Sequence, residues 1–78
     1  MSKHHIQECV RASLESYFKD LRGTEPGGLY TMMIRVMERP LLEVVMKQAD
    51  DNQSRAAQWL GLNRNTLRKK LLEHKLLK

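Results

Sequence analysis

The stretch from 29 to 49 constrains this 78-residue chain more than any other. Fourteen of its twenty-one residues are apolar: Leu29, Tyr30, Met32, Met33, Ile34, Val36, Met37, Pro40, Leu41, Leu42, Val44, Val45, Met46 and Ala49. Its polar side chains gather along one fourfold row, Thr31, Arg35, Arg39, Glu43 and Lys47. A helix this apolar has to be covered on several sides. The chain has one other long apolar stripe at helical spacing, Ile6, Val10, Leu14, Tyr17, Phe18 and Leu21. A single amphipathic partner cannot provide that cover. A chain of this size buries only about 60% of its unfolded surface, so a second copy is the expected cover and a homodimer the expected state. The alternative is a monomer built around a central core helix. Pro40 is expected to kink the segment, because proline has no N–H and its ring crowds the preceding turn.

Four glycines and two prolines are too few for a many-turned β fold, so an all-α chain is expected. Gly23 is placed to stop the first helix, and Thr24-Glu25-Pro26-Gly27-Gly28 reads as a loop. No apolar run reaches the roughly 18 residues of a membrane span. Met1-Ser2-Lys3-His4-His5 is followed by no apolar h-region, so neither a signal peptide nor a membrane partner is expected. A single cysteine, Cys9, excludes a disulfide framework and points to a reducing, cytoplasmic compartment. At its place by the apolar stripe Cys9 is expected to be a small buried hydrophobe. His4 and His5 are adjacent and do not share a helix face as metal ligands would. His74, near a helix C-terminus, is expected to be solvated. Trp59 reads as a core edge or an intersubunit contact. No glycine-rich phosphate loop, carboxylate pair or catalytic triad is present. Neither an enzyme nor a cofactor, metal or small-molecule substrate is expected.

The charge is divided unevenly. Residues 1–51 carry seven Lys+Arg against eight Asp+Glu, a net of −1. Residues 52–78 carry Arg55, Arg64, Arg68, Lys69, Lys70, Lys75 and Lys78 against Glu73 alone, a net of +6. A basic run on its own is most simply a solvated face. A basic segment with a recognition pattern inside it suits an anionic partner, most simply nucleic acid.

That pattern is present. Asp51 or Asn52 can cap a helix over about 53–60. Gly61 ends it in a turn that suits a left-handed conformation, and Asn63 can cap a last helix over about 64–74. Two short helices joined by a tight glycine turn form a helix-turn-helix. Ala56 and Ala57 are small enough for close approach of the second helix, and Leu60, Leu62, Leu67 and Leu71 supply the apolar wedge. Arg64, Asn65, Thr66, Arg68 and Lys69 are left outward at the start of the second helix, where such units meet base edges in the major groove. Arginine can bond bidentately to guanine and asparagine to adenine, while Lys and Thr suit phosphate oxygens.

Pro40-Leu41-Leu42-Glu43-Val44-Val45-Met46, Asn52-Gln53-Ser54-Arg55-Ala56-Ala57 and Leu60-Gly61-Leu62-Asn63-Arg64-Asn65-Thr66-Leu67-Arg68-Lys69-Lys70-Leu71 resemble the Fis family, the factor for inversion stimulation. The resemblance covers about residues 9–73 and is most specific from 40 to 71. It implies a four-helix subunit whose first two helices interlock with a second subunit, with residues 1–49 for dimerisation and 50–78 for the helix-turn-helix, all in one domain. It further implies a bacterial, nucleoid-associated homodimer that bends double-stranded DNA and regulates transcription, with RNA polymerase as a further partner. By similarity Arg64 and Asn63 would touch bases. Asn52, Ser54, Arg55, Thr66, Arg68, Lys69 and Lys70 would hold the backbone.

Three departures bear on these expectations. The chain starts almost at the first helix, where the enterobacterial form has a recombinase-contacting arm, so recombinase stimulation is not expected. Asp50 and Asp51 replace a basic residue and a glycine, which should repel flanking phosphates and alter the polymerase-contacting loop. Leu72 and Glu73 replace further lysines. Two other readings remain open. The chain could be the DNA-binding end of a larger enhancer-binding activator, against which Met1 and the first helix argue, or a helical dimer that meets RNA or acidic proteins.

Overall fold

The computed structural model describes residues 2–77 as four helices, α1 (Lys3–Leu21), α2 (Leu29–Gln48), α3 (Gln53–Leu60) and α4 (Arg64–Glu73), with no strand among the described residues. The all-α expectation holds, and the boundaries of the last three helices lie within a residue of those read from the sequence. α1 starts earlier than its apolar stripe. Ser2 caps it, its Oγ accepting the His5 N–H at 3.1 Å. The first turn, Lys3-His4-His5, is polar all round, so periodicity could not find it and only the cap could.

Each helix end is closed by a left-handed residue, and only one of these is glycine. α1 ends at Arg22, φ 50°, rather than at Gly23. α2 is followed by two consecutive left-handed aspartates, Asp50 at φ 53° and Asp51 at φ 61°. The Asp51 N–H reaches back to the Met46 carbonyl at 2.9 Å and the Asp50 N–H to Lys47 at 3.1 Å, which satisfies two of the helix's orphan acceptors. Asp51 is thereby part of the turn, and the cap of α3 falls to Asn52. α3 closes on Gly61, φ 72°, with the Leu62 N–H on the Ala57 carbonyl at 2.9 Å. α4 closes on Lys75, φ 57°, and the Leu76 N–H bonds to the Leu71 carbonyl at 2.8 Å, folding Leu76 onto the core. Pro40 does not interrupt α2, which runs continuously through it. Pro40 and Val36, whose carbonyl loses its helical donor, are both exposed.

The buried core is Leu42, Ala49, Ala56, Ala57, Leu67 and Leu71, with Val45, Met46, Leu60, Leu76 and Leu77 against it. All of it lies from residue 42 onward, so the second half of α2 belongs to the same packing unit as α3 and α4. α1 buries nothing fully. Cys9, expected to be buried, is exposed, its Sγ 3.7 Å from His5 Nε2 one turn back. α2 has two apolar faces. One, through Leu42, Val45, Met46 and Ala49, carries the core. The other, Tyr30, Ile34, Met37, Leu41 and Val44, steps by four and three residues along the helix and is uncovered, from 44% exposed at Ile34 to 80% at Tyr30. The chain is accordingly open. Its surface is 6561 Å², against about 4,900 Å² for a compact monomer of its mass. Its radius of gyration is 15.1 Å, against about 11.5 Å.

A polar cluster joins α2 to α4. The Glu38 carboxylate divides its oxygens: Oε2 accepts from Lys70 Nζ at 2.8 Å, and Oε1 lies 2.9 Å from His74 Nε2. The next residue, Arg39, donates from its guanidinium to the His74 carbonyl. His74 is thus buried, not solvated as expected. The Lys70 ammonium is the main cause of a Glu38 pKa below its ordinary value of 4.5, and Glu38 in turn raises Lys70 above 10.5. A depressed carboxylate stabilises the fold fully above its unfolded pKa and ceases to do so as pH falls through the folded one; a raised ammonium acts in the opposite direction at the alkaline end. Glu38→Gln should therefore cost about 1–2 kcal/mol near neutrality, measured as a urea midpoint. The difference from the parent should shrink below about pH 4 and again above about pH 11, and a difference constant with pH would rule out the ionic link.

Candidate nucleic-acid interface

The exposed face of α3 and α4 is built on two asparagine caps. Asn52 and Asn63 both have extended backbones, and their side-chain oxygens accept the N–H groups of Arg55 at 3.1 Å and Asn65 at 2.8 Å. With Oδ1 engaged in the cap, the NH₂ of each side chain remains as a donor. Both helix N-termini are exposed and display donors, and neither has an acidic residue in its first turn. The positive end of the α4 macrodipole is left for an external anion, while Asp50 and Asp51 precede the cap of α3. Gly61 permits the sharp turn between them, and Ala56, Ala57, Leu67 and Leu71 close the inner side. Leu60 is half-buried and packs against this core; Leu62, expected in the same wedge, is half-buried in the turn and is not among the residues packed on the core.

Nine of the ten residues singled out above are exposed: Asn52, Ser54, Arg55, Asn63, Arg64, Asn65, Thr66, Arg68 and Lys69. Ser54 and Arg55 lie in the first turn of α3, and Arg64, Asn65 and Thr66 in the first turn of α4. Three cations outside this set form ion pairs. Arg11 pairs with Glu8, Arg39 with Glu43 and Lys70 with Glu38. Among the described residues, Arg55, Arg64, Arg68 and Lys69 form no ion pair. Lys70 differs from its expectation: it is half-buried and tied to Glu38, at the edge of the stripe formed by Leu67, Leu71 and His74. Trp59 is 56% exposed on α3 and is no part of the core.

Arranged in this way, the face has donors and cations and almost no acceptors, which is the chemistry of a polyanion site. No group of three or more His, Cys, Asp or Glu that could hold a metal occurs among the described residues, and no described helix is long and apolar enough to cross a membrane. Glu38, Arg39 and His74 escaped the sequence reading. Glu38 contacts Lys70 and His74 across 32 and 36 residues, beyond any local pattern. One signal was available: Glu38 is the lone charge in register with Leu42, Val45 and Ala49, on the core face of α2 rather than on its polar row.

Comparison with known proteins agrees with this architecture. Residues 33–74 match the family described as bacterial regulatory protein, Fis family. A Fis-like DNA-binding protein of Ralstonia nicotianae is 54% identical over 77 residues, covering 99% of this chain and all of that protein. A Fis-like DNA-binding protein of Neisseria meningitidis is 60% identical over 72 residues, 92% of this chain and 91% of its own. The DNA-binding protein Fis of Proteus mirabilis is 42% identical over 69 residues, 88% of this chain and 70% of its own. With a four-helix subunit, a helix-turn-helix at its C-terminal end and relatives similar along nearly its full length, the chain belongs to the Fis family of bacterial regulatory proteins.

Proposed function

We propose that the protein is a homodimer that binds and bends double-stranded DNA, acting in the bacterial nucleoid as a regulator of transcription. The observation that carries this reading is the exposed set on α3 and α4: Arg55, Arg64, Arg68 and Lys69 in no ion pair, two asparagine NH₂ groups, and two helix N-termini with no acid in their first turns. An α-helix about 10–12 Å across fits a major groove about 12 Å wide. α4 enters it N-terminus first. Arg64 and Asn63 read bases, while Asn52, Ser54, Arg55, Thr66, Arg68 and Lys69 hold phosphates, with Asn65 facing the groove beside them. Lys70, spent on Glu38, contributes less than the others. RNA polymerase is the protein partner that the family resemblance adds.

The dimer rests on the uncovered stripe of α2. Tyr30, Ile34, Met37, Leu41 and Val44 repeat at the spacing of a helix–helix seam, and α1 adds Ile6 and Phe18, both exposed. The surface in excess of a compact monomer is about 1,600 Å² per chain, the scale of an obligate interface. Residues 1–49 supply that interface, with α2 shared between it and the helix-turn-helix of 50–78. By resemblance to the family, the two copies of α4 stand closer together than the roughly 34–36 Å between successive major grooves. Both enter only if the DNA curves toward the protein and the intervening minor groove narrows, at a cost set by base pairs that no side chain touches.

Sedimentation at micromolar concentration should find a dimer whose melting temperature rises with protein concentration. Val44→Asp, which puts a charge on the uncovered stripe, should abolish it; a folded monomer of the parent chain would overturn the assembly. Arg64→Ala should cost about 1–3 kcal/mol at a preferred duplex and flatten the preference at one base pair. A loss equal on every duplex would make Arg64 a phosphate contact. In gel shifts, duplexes with an A·T-rich centre should bind more tightly than those with a G·C-rich centre, and lengthening the flanks should add little. Indifference to the centre rejects bending, and tighter binding of duplex RNA than of duplex DNA rejects the DNA reading itself.

A further inference from the structure

We infer that Glu38 is a positioning residue: its carboxylate, bridged to Lys70 and His74, sets the tilt of α4 against α2 and thereby how far a dimer bends duplex DNA. The inference rests on the DNA-bending reading above and extends it to a residue that touches no DNA.

The geometry is directional. Apolar packing between α4 and the rest of the core holds it close and selects a crossing angle only to within about 15–20°. Hydrogen bonds weaken steeply with misalignment. Here Glu38 Oε2 accepts from Lys70 Nζ at 2.8 Å, Oε1 meets His74 Nε2 at 2.9 Å, and Arg39 donates to the His74 carbonyl. An ionised carboxylate can only accept, so Nε2 of His74 carries the proton. These bonds originate on two adjacent residues of α2 and end on the last turn of α4 and its cap. The Glu38 and His74 side chains are only 17% and 4% exposed, so water offers little substitute.

The anchored end of α4 is the far end from the bases. Lys70 and His74 lie about 9 and 15 Å along the helix from Arg64, at about 1.5 Å per residue. A tilt of about 10° at the anchor moves Arg64 by about 1.5–2.5 Å, enough to break a hydrogen bond. The other end of the bridge stands on α2, the helix whose uncovered stripe supplies the seam with a second copy. Glu38 is thus the short polar path from the dimer seam to the reading head. Two copies of it fix the relative attitude of two α4 helices.

The test uses the full chain as a dimer, at a temperature where parent and variants are fully folded. Bend angle is read by circular-permutation mobility on a preferred site, and discrimination as the ratio of affinities for A·T-rich and G·C-rich centres. Glu38→Gln should reduce the bend and lower the discrimination roughly tenfold, the scale of one misplaced base contact, while binding to unrelated duplexes stays near that of the parent. Glu38→Asp, which keeps the charge for Lys70, should recover part of both. A purely structural role would lower the melting temperature and leave bend and discrimination unchanged in the folded dimer; that result overturns the inference. So does tighter binding to every duplex with a steeper salt slope and the same bend, which would mean that Glu38 only masks Lys70 from phosphate. Should Glu38→Gln not fold, His74→Phe keeps the ring volume, removes one bond of the bridge and is judged by the same two readouts. A parent chain that neither bends nor discriminates defeats the DNA-bending reading, whereas a parent that does both and variants that match it defeat the role of Glu38 alone.

Discussion

The apolar character of α2 on two of its sides is the constraint from which the rest of the structure follows. A helix of 20 residues can bury one stripe against its own chain, and α2 does so with Leu42, Val45, Met46 and Ala49. That packing creates the platform on which α3 and α4 sit. The second stripe, from Tyr30 to Val44, has nothing to meet within the chain, because α1 packs too loosely to bury even one of its own residues. A small domain normally closes around its longest helix. This one puts that helix at its edge, and the open dimensions of the chain are the direct result. The core that does form is small and belongs to the helix-turn-helix, so the part that presents the polar face is also the part best held together by its own sequence.

Most of the helix-turn-helix was legible because its determinants are local. Gly61 for the left-handed turn, Asn63 for the cap, and Ala56 and Ala57 for close approach each act within four residues of their own position. The outward set of Arg64, Asn65, Thr66, Arg68 and Lys69 follows from the same arithmetic of helix faces, whereas Asn52, Ser54, Arg55 and Asn63 enter through the family resemblance. What could not be read depends on longer range. The division of α2 into a face for α3 and α4 and a face left open needs the crossing geometry, since Met37 and Leu42 look alike in sequence. The fates of Lys70 and His74 were decided by Glu38, more than thirty residues away. Local pattern places His74 in solvent, the family resemblance places Lys70 on the DNA backbone, and Cys9, beside the apolar stripe of α1, reads as buried.

Electrostatics divides the molecule in the same way. Away from the polar face three cations meet carboxylates, Arg11 with Glu8, Arg39 with Glu43 and Lys70 with Glu38, while the acids of residues 1–51 outnumber their Lys and Arg eight to seven. Exposed pairs of this sort contribute little to stability, yet they cancel charge locally. On the face itself Arg55, Arg64, Arg68 and Lys69 have no such neighbours, and Glu73 is the one acid of the last third of the chain. The positive charge of the protein is therefore concentrated in the segment that carries α3 and α4.

Asp50 and Asp51 carry a consequence for how such a protein can change over generations. Both occupy left-handed backbone, where an L side chain is uncomfortable and glycine is not. Both also place negative charge beside a face built for anions. An aspartate codon becomes a glycine codon by a single base change, and at these two positions that change relaxes the backbone and removes the repulsion together. Folding stability and grip on a polyanion are coupled here, and one mutational step moves both upward. Lineages that need a looser hold have a reason to keep two strained acids, and lineages that need a tighter one can reach it without passing through a less stable intermediate.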